Sequence, residues 1–378
     1  MKHGKYKSTM PLAVGRTGAG KNVVLGVGFC DGESERNCNW FLLCCRAAGR
    51  QLNSLPVFAD RGKGLIAAVQ RLKIQIRFCT RHITGNVRHH FPITTKEEAA
   101  IWEIQASESD EEYGAKLDVL AMTHPQVADY LREIDPARWV LFSAIGCHRL
   151  YGWRTTNFVE SQNAAAVPER KLRTLDVFKS FVEKFMTDAV AIDQSVQAWH
   201  RKGMTITPHA EALLQAQQQD IGYLSVRPSS NTAAFVFDTR QVPRYHFRVD
   251  LSVIADAPSH GKMVCSCAYS DQHGIPCRHV IATLYDYSKS DSLYDFVDNC
   301  YFVDSIAKGY GAESKHAIEL ILDASITTSM WHKPPQLERR KGRPRVNRFA
   351  SQGETGATTH TRRRTCTKCN EVGHNRRT

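Results

Sequence analysis

The feature that most constrains this chain is a quartet of metal-type side chains: Cys265-Ser266-Cys267 and, after nine intervening residues, Cys277-Arg278-His279. Residues i and i+2 of a strand point to the same face, so the thiols of Cys265 and Cys267 can reach a single ion. Gly274-Ile275-Pro276 then turns the chain, with Pro276 suited to the first turn of a helix through Val280-Ile281-Ala282-Thr283-Leu284. Cys277 and His279 arrive from that helix. Three thiolates and one imidazole make a closed tetrahedral zinc set with no position left for water, which is a structural site. The competing reading is four buried side chains that happen to be neighbours. It leaves the spacing of the two i,i+2 pairs unexplained.

A second metal motif closes the chain: Cys366-x2-Cys369-x4-His374, with Gly373 before the histidine. It resembles a retroviral-type zinc knuckle, C-x2-C-x4-H-x4-C, with three of the four ligands supplied up to Thr378. Three ligands hold zinc more weakly than four. The twelve cysteines follow an N-terminus without an apolar secretory stretch, so they are expected as reduced thiols and, where clustered, as metal ligands.

The net charge of +12 is concentrated. From Pro334 to Thr378 there are twelve Lys and Arg against three Glu, which leaves the rest of the chain near neutral. A basic tail of this kind tracks a polyanion, most often nucleic acid. Within it, Arg339-Arg340-Lys341-Gly342-Arg343-Pro344-Arg345 is similar to an AT-hook, an extended Arg-Pro segment for the minor groove of A·T-rich DNA. A solvated linker or a nuclear-import signal reads equally well, and these roles can coexist. No apolar run approaches a membrane span.

Periodicity predicts strands near 12–14, 23–29, 55–59 and 74–78 and helices over 40–48 and 64–72, an α/β arrangement. Residues 95–150 turn helical, a second helical stretch covers 157–199, and a short helix covers 213–219. Strands return at 222–226, 233–237 and 245–251. The expected organisation is a core over 1–94, a helical insertion over 95–153, a helical return of the core over 154–220 and a zinc-finger region over 221–300. A helical segment over 301–333, a basic disordered linker over 334–365 and the incomplete knuckle over 366–378 complete it.

Asp60 follows an apolar strand, and Glu160 opens a helix after Thr155-Thr156-Asn157. Taken singly, Asp60 reads as an N-cap of the following helix and Asn157 with Glu160 as a capping box. Their wider wording points elsewhere. Val57-Phe58-Ala59-Asp60-Arg61-Gly62-Lys63-Gly64, Phe78-Cys79-Thr80-Arg81-His82 and Thr156-Asn157-Phe158-Val159-Glu160-Ser161-Gln162-Asn163, with the earlier Gly4-Lys5-Tyr6-Lys7, resemble the core of Mutator-like (MULE) transposases. Gly274-Ile275-Pro276-Cys277-Arg278-His279-Val280-Ile281 resembles the SWIM-type zinc finger that follows that core.

The resemblance implies an α/β ribonuclease H-like fold with an all-helical insertion, a small ββα-type SWIM zinc module and a disordered basic tail. It matches Asp60 to the second acid of a D-D-E triad, Glu160 to the third, and Cys79 with His82 to a C-x2-H pair. A complete triad would hold Mg²⁺ or Mn²⁺ for strand cleavage and transfer. The family's first Asp lies just before the Gly-Lys-Tyr-Lys turn in which this chain begins, so the core is expected to lack its first strand, the chain to be truncated at both ends and cleavage to be absent. The implied partner is DNA, either element ends or A·T-rich DNA, with homo-oligomerisation, a nuclear location and no membrane. The alternative is a domesticated DNA-binding transcriptional regulator similar to the far-red-response factors derived from such transposases.

Overall fold

A computed structural model describes residues 9–50, 52–165, 174–219, 221–242, 245–253 and 263–310. The terminal knuckle, the AT-hook-like run and the Gly-Lys-Tyr-Lys turn lie outside these residues. The first unit opens on a hairpin of β1 (Leu12–Arg16) and β2 (Asn22–Val27), antiparallel from Leu12↔Val27 to Arg16↔Asn22. Helix α1 (Glu35–Ala47) follows, with the Ser34 side chain accepting the Asn37 amide and Glu35 favouring the positive end of the helix. Next come β3 (Val57–Ala59), α2 (Lys63–Leu72), β4 (Ile76–Phe78) and α3 (Thr80–His90). The last of these is a helix that periodicity had not marked.

Helices α4 (Thr95–Gln105), α5 (Asp110–Thr123) and α6 (Pro125–Arg132) then stack on the strand pair. A reciprocal capping box between Thr94 and Glu97 fixes the start of α4. Of the helical stretch expected over 157–199, the described residues form α7 (Asn157–Ala165) and α8 (Thr174–Arg201), and 166–173 lie outside them. Then α9 (Pro208–Gln218) leads into β5 (Leu224–Pro228), β6 (Ala233–Asp238) and β7 (His246–Asp250). The zinc-finger segment supplies α10 (Tyr269–His273) and α11 (Arg278–Asp286), and α12 (Val303–Tyr310) is the last described element.

The chain is a helix-rich α/β protein with small sheets. Among the described residues the hairpin β1–β2, the parallel pair β3–β4 and the antiparallel β5–β6–β7 are three separate sheets. The one α/β sheet expected for the N-terminal unit is therefore two ladders. Strands β3 and β4 are three residues each and pair only with one another, Val57↔Ile76 to Ala59↔Phe78.

The helices of 95–132 share one hydrophobic cluster with these strands. Ile76, Phe78, Ile83, Val87, Ile101, Ile104, Leu117, Leu131 and Trp139 are all buried in it. Arg77 alternates away from that packing and is buried too, its guanidinium donating to the carbonyls of Val140 and Ala137 and to Ser143. Burial without a carboxylate partner pushes it down to about 10. No helix among the described residues is long and apolar enough to cross a membrane.

Candidate metal centre and the acidic cluster

Cys265 ends a bridge to Val249 of β7, so the sheet delivers it directly. The strand expected through Cys265-Ser266-Cys267 is a turn instead, closed by the Ala268 amide donating to the Cys265 carbonyl at 3.2 Å, with Ala268 itself left-handed at φ 56°. Cys277 is the N-cap residue of α11 and His279 lies in its first turn. Pro276 precedes the cap rather than entering the helix. The amide of Cys277 donates to Ser270 Oγ, which ties the second ligand pair to α10.

The four donor atoms lie within 4.8 Å of one another, with Cys265, Cys277 and His279 buried. Sγ of Cys265 is 3.6 Å and Sγ of Cys277 3.8 Å from His279 Nδ1. Tetrahedral Zn–S and Zn–N bonds place sulfur about 3.6 Å from nitrogen, so the quartet fits the ion. Hydrogen bonds to Cys267 and Cys277 raise the Cys265 thiol. At Cys277 burial acts upward, but hydrogen bonds from Cys265, Cys267 and His279 outweigh it and hold that thiol well below the ordinary range. Three thiols and an imidazole gathered this closely are the donor set that a divalent cation completes. Phe247 of β7 stacks on the His279 ring at 4.1 Å and fixes its plane. That contact has no sequence signature, because it depends on strand register.

These residues define a structural zinc module. A SWIM zinc finger family model matches residues 261–288, so the chain carries a SWIM-type zinc finger. No curated protein and no solved structure matches the chain.

The module is not a free appendage. Leu150 donates its amide to Gln272 Oε1 and Tyr151 to the Gln272 carbonyl, while Gln272 Nε2 returns a bond to the His148 carbonyl. Gly146 N donates to Asp271, and the half-buried Arg149 guanidinium pairs with Asp298. On the far side Thr207 Oγ1 donates to the carbonyl of Gly18 at the tip of the β1–β2 hairpin.

Asp60 stands at the end of β3, exposed, with Oδ1 accepting from Gly62 N at 3.2 Å. The N-cap of α2 is Gly62, not Asp60. Glu160, on α7, faces Arg81 at 3.5 Å and His82 at 3.6 Å. The capping box expected between Asn157 and Glu160 is not made: Asn157 Oδ1 accepts from Arg81 instead. Cys79 caps α3, and its sulfur accepts the Thr156 amide at 3.3 Å. Burial would raise this thiol, yet hydrogen bonds from His82 and Thr156 lower it overall. A hydrogen bond with Cys79 outweighs burial and, with the charges of Cys79, Asp60 and Glu160, raises His82. Asp60, Cys79, His82 and Glu160 thus occupy one electrostatic neighbourhood. Arg81 and Thr156, which complete it, were quoted in the motifs without a role. Among the described residues, however, the zinc quartet is the only group of three or more Cys, His, Asp or Glu close enough to share an ion.

Proposed function

We propose that this chain is a zinc-stabilised DNA-binding protein of the Mutator-like transposase lineage that binds DNA without cutting it. The supporting observation is the contact of Glu160 on α7 with Arg81 and His82 on α3, with Asp60 at the end of β3 contributing to the charge felt at His82, in a chain that also carries a SWIM-type finger. The hairpin–helix–strand–helix–strand–helix order of residues 12–90 is compatible with the ribonuclease H-like core that this reading requires.

Two-metal phosphoryl transfer needs carboxylates free to hold divalent cations on both sides of the reacting phosphate. Here the Glu160 oxygens face the Arg81 guanidinium and the His82 ring, and Asp60 and Glu160 have no third acid within ligand range among the described residues. The acidic pair does not fit an Mg²⁺ or Mn²⁺ site as it stands, and no cleavage step is assigned to it. That same feature favours the regulator as the second reading, a nuclear protein that kept the scaffold and lost the chemistry.

DNA binding should weaken steeply with salt, and deletion of 334–378 should flatten that dependence, because the cations concentrate there. Incubating the full chain with supercoiled and element-end DNA in Mg²⁺ or Mn²⁺ should give binding and no nicking. Divalent-dependent cleavage that disappears in Asp60→Asn would overturn the proposal. So would the absence of any DNA affinity.

A further inference from the structure

The three-stranded sheet β5–β6–β7 has one face packed on the zinc module and one face that no hydrophobic cluster of the described residues covers, with Phe235 and Phe237 partly exposed on it. Ala234, Val236 and Val249 are fully buried on the inner face, under α11. Alternation sends Phe235 and Phe237 of β6 to the other side, where neither belongs to any hydrophobic cluster of the described residues. The register sets their neighbours. Phe235 lies between Arg227 of β5 and Arg248 of β7, and Phe237 between Ser225 and His246. Two rows therefore cross the face, Arg–Phe–Arg and Ser–Phe–His, with Arg227, Arg248 and His246 exposed.

The His246 ring rests against both phenylalanines at 5.5 and 5.8 Å. The acid on this face is Asp250, which accepts from Ser252 and lies 3.6 Å from Arg248. A pair that loose, with the arginine exposed and the carboxylate half-buried, contributes little, which leaves Arg248 open to a phosphate. Arg227 has no acidic partner among the described residues.

We propose that this outer face binds single-stranded DNA, with unpaired bases stacked on Phe235 and Phe237 and backbone phosphates paired to Arg227 and Arg248. Rings two residues apart on a strand stand about 6.8 Å from one another, room for one base on each. Aromatic rings flanked by cations on an open sheet are the arrangement that holds single strands with little regard to sequence. A duplex fits poorly. Its bases already cover one another's faces, and the major groove, about 12 Å wide, admits a two-stranded ribbon rather than a face three strands broad. The choice of DNA rests on the function proposed above; the single-stranded form is carried by the sheet itself.

The test measures fluorescence anisotropy of labelled oligo-dT, oligo-rU and a duplex of equal length with the full chain. The comparison is with a Phe235→Leu/Phe237→Leu double variant, whose leucines keep apolar bulk and whose zinc content reports folding. The double variant should lose at least about tenfold in oligo-dT affinity and leave duplex binding unchanged. Arg227→Gln/Arg248→Gln should weaken oligo-dT binding and reduce its salt slope.

Duplex binding with oligo-dT affinity indifferent to both variants would overturn this proposal alone. No binding to any DNA would overturn the functional reading with it. Tighter binding of oligo-rU, lost in the same variants, would replace the occupant with RNA and refute the choice made here. Photocrosslinking of iododeoxyuridine-substituted oligo-dT to the wild-type chain provides a check independent of variant folding: adducts on the 233–250 peptide support the site, and adducts confined elsewhere refute it.

Discussion

His273 shows how much one side chain at the module's edge can reveal. Its ring lies flat on Tyr269 at 4.1 Å, beside Gly152, where a Cβ would sit 2.8 Å from the imidazole. Burial, and then the charge of Arg154, push His273 down to about 4. An unfolded chain takes up that proton near 6.5, so below this pH the unfolded state binds more protons and stability falls until the folded group itself titrates. The loss should reach ~3 kcal/mol across that window. Urea unfolding at several pH values should show the slope in the native chain and a shallower one in His273→Phe, which keeps the stacking. Equal slopes would place the acid sensitivity elsewhere. At the other cluster, Glu160→Gln should leave DNA affinity unchanged, since Arg81 and His82 already occupy its oxygens.

Between elements, the closest packing is at glycine. A Cβ on Gly64, at the start of α2, would sit 2.2 Å from the Glu33 carbonyl oxygen and 2.8 Å from the Ser34 carbon. Backbone atoms cannot swing aside as a side chain does, so Gly64→Ala should cost ~2 kcal/mol or more by denaturant midpoint. An unchanged midpoint would mean that α1 and α2 are less tightly apposed. Elements with an alternating or helical apolar pattern were legible in the sequence: β1, β2, α2 and β5 to β7 fall where periodicity predicts them. Helix α3 was not, because Arg81, His82, Arg88, His89 and His90 dilute its apolar stripe. The zinc ligands were legible because chemistry dictates their spacing. The turn that presents Cys267 was not, since the bond that closes it, from Ala268 N to the Cys265 carbonyl, leaves no mark in residue type. Asp60 and Glu160 could be singled out from motif wording alone, while the cations that hold Glu160 emerge only from three-dimensional packing.

At the scale of the molecule, zinc binding and the N-terminal unit are mechanically joined. The module grips 146–151 through Gln272, Asp271 and Asp298, and the hairpin tip reaches it so closely that a Cβ on Gly18 would collide with the Cys300 carbonyl. Metal binding that organises such a module contributes folding free energy to everything packed on it. Chelation should therefore lower one cooperative melting transition by at least about 10 °C, rather than release a small transition from an unaffected larger one. Two transitions with the upper one unmoved would show that the units melt separately.

The quartet organises the whole module, and its most direct measurement is the zinc content of the purified full chain after dialysis, set beside Cys277→Ser. The prediction is about one tightly held zinc per native chain and none retained by the variant. Equal zinc in the two proteins would contradict the assignment of Cys265, Cys267, Cys277 and His279 as the structural site.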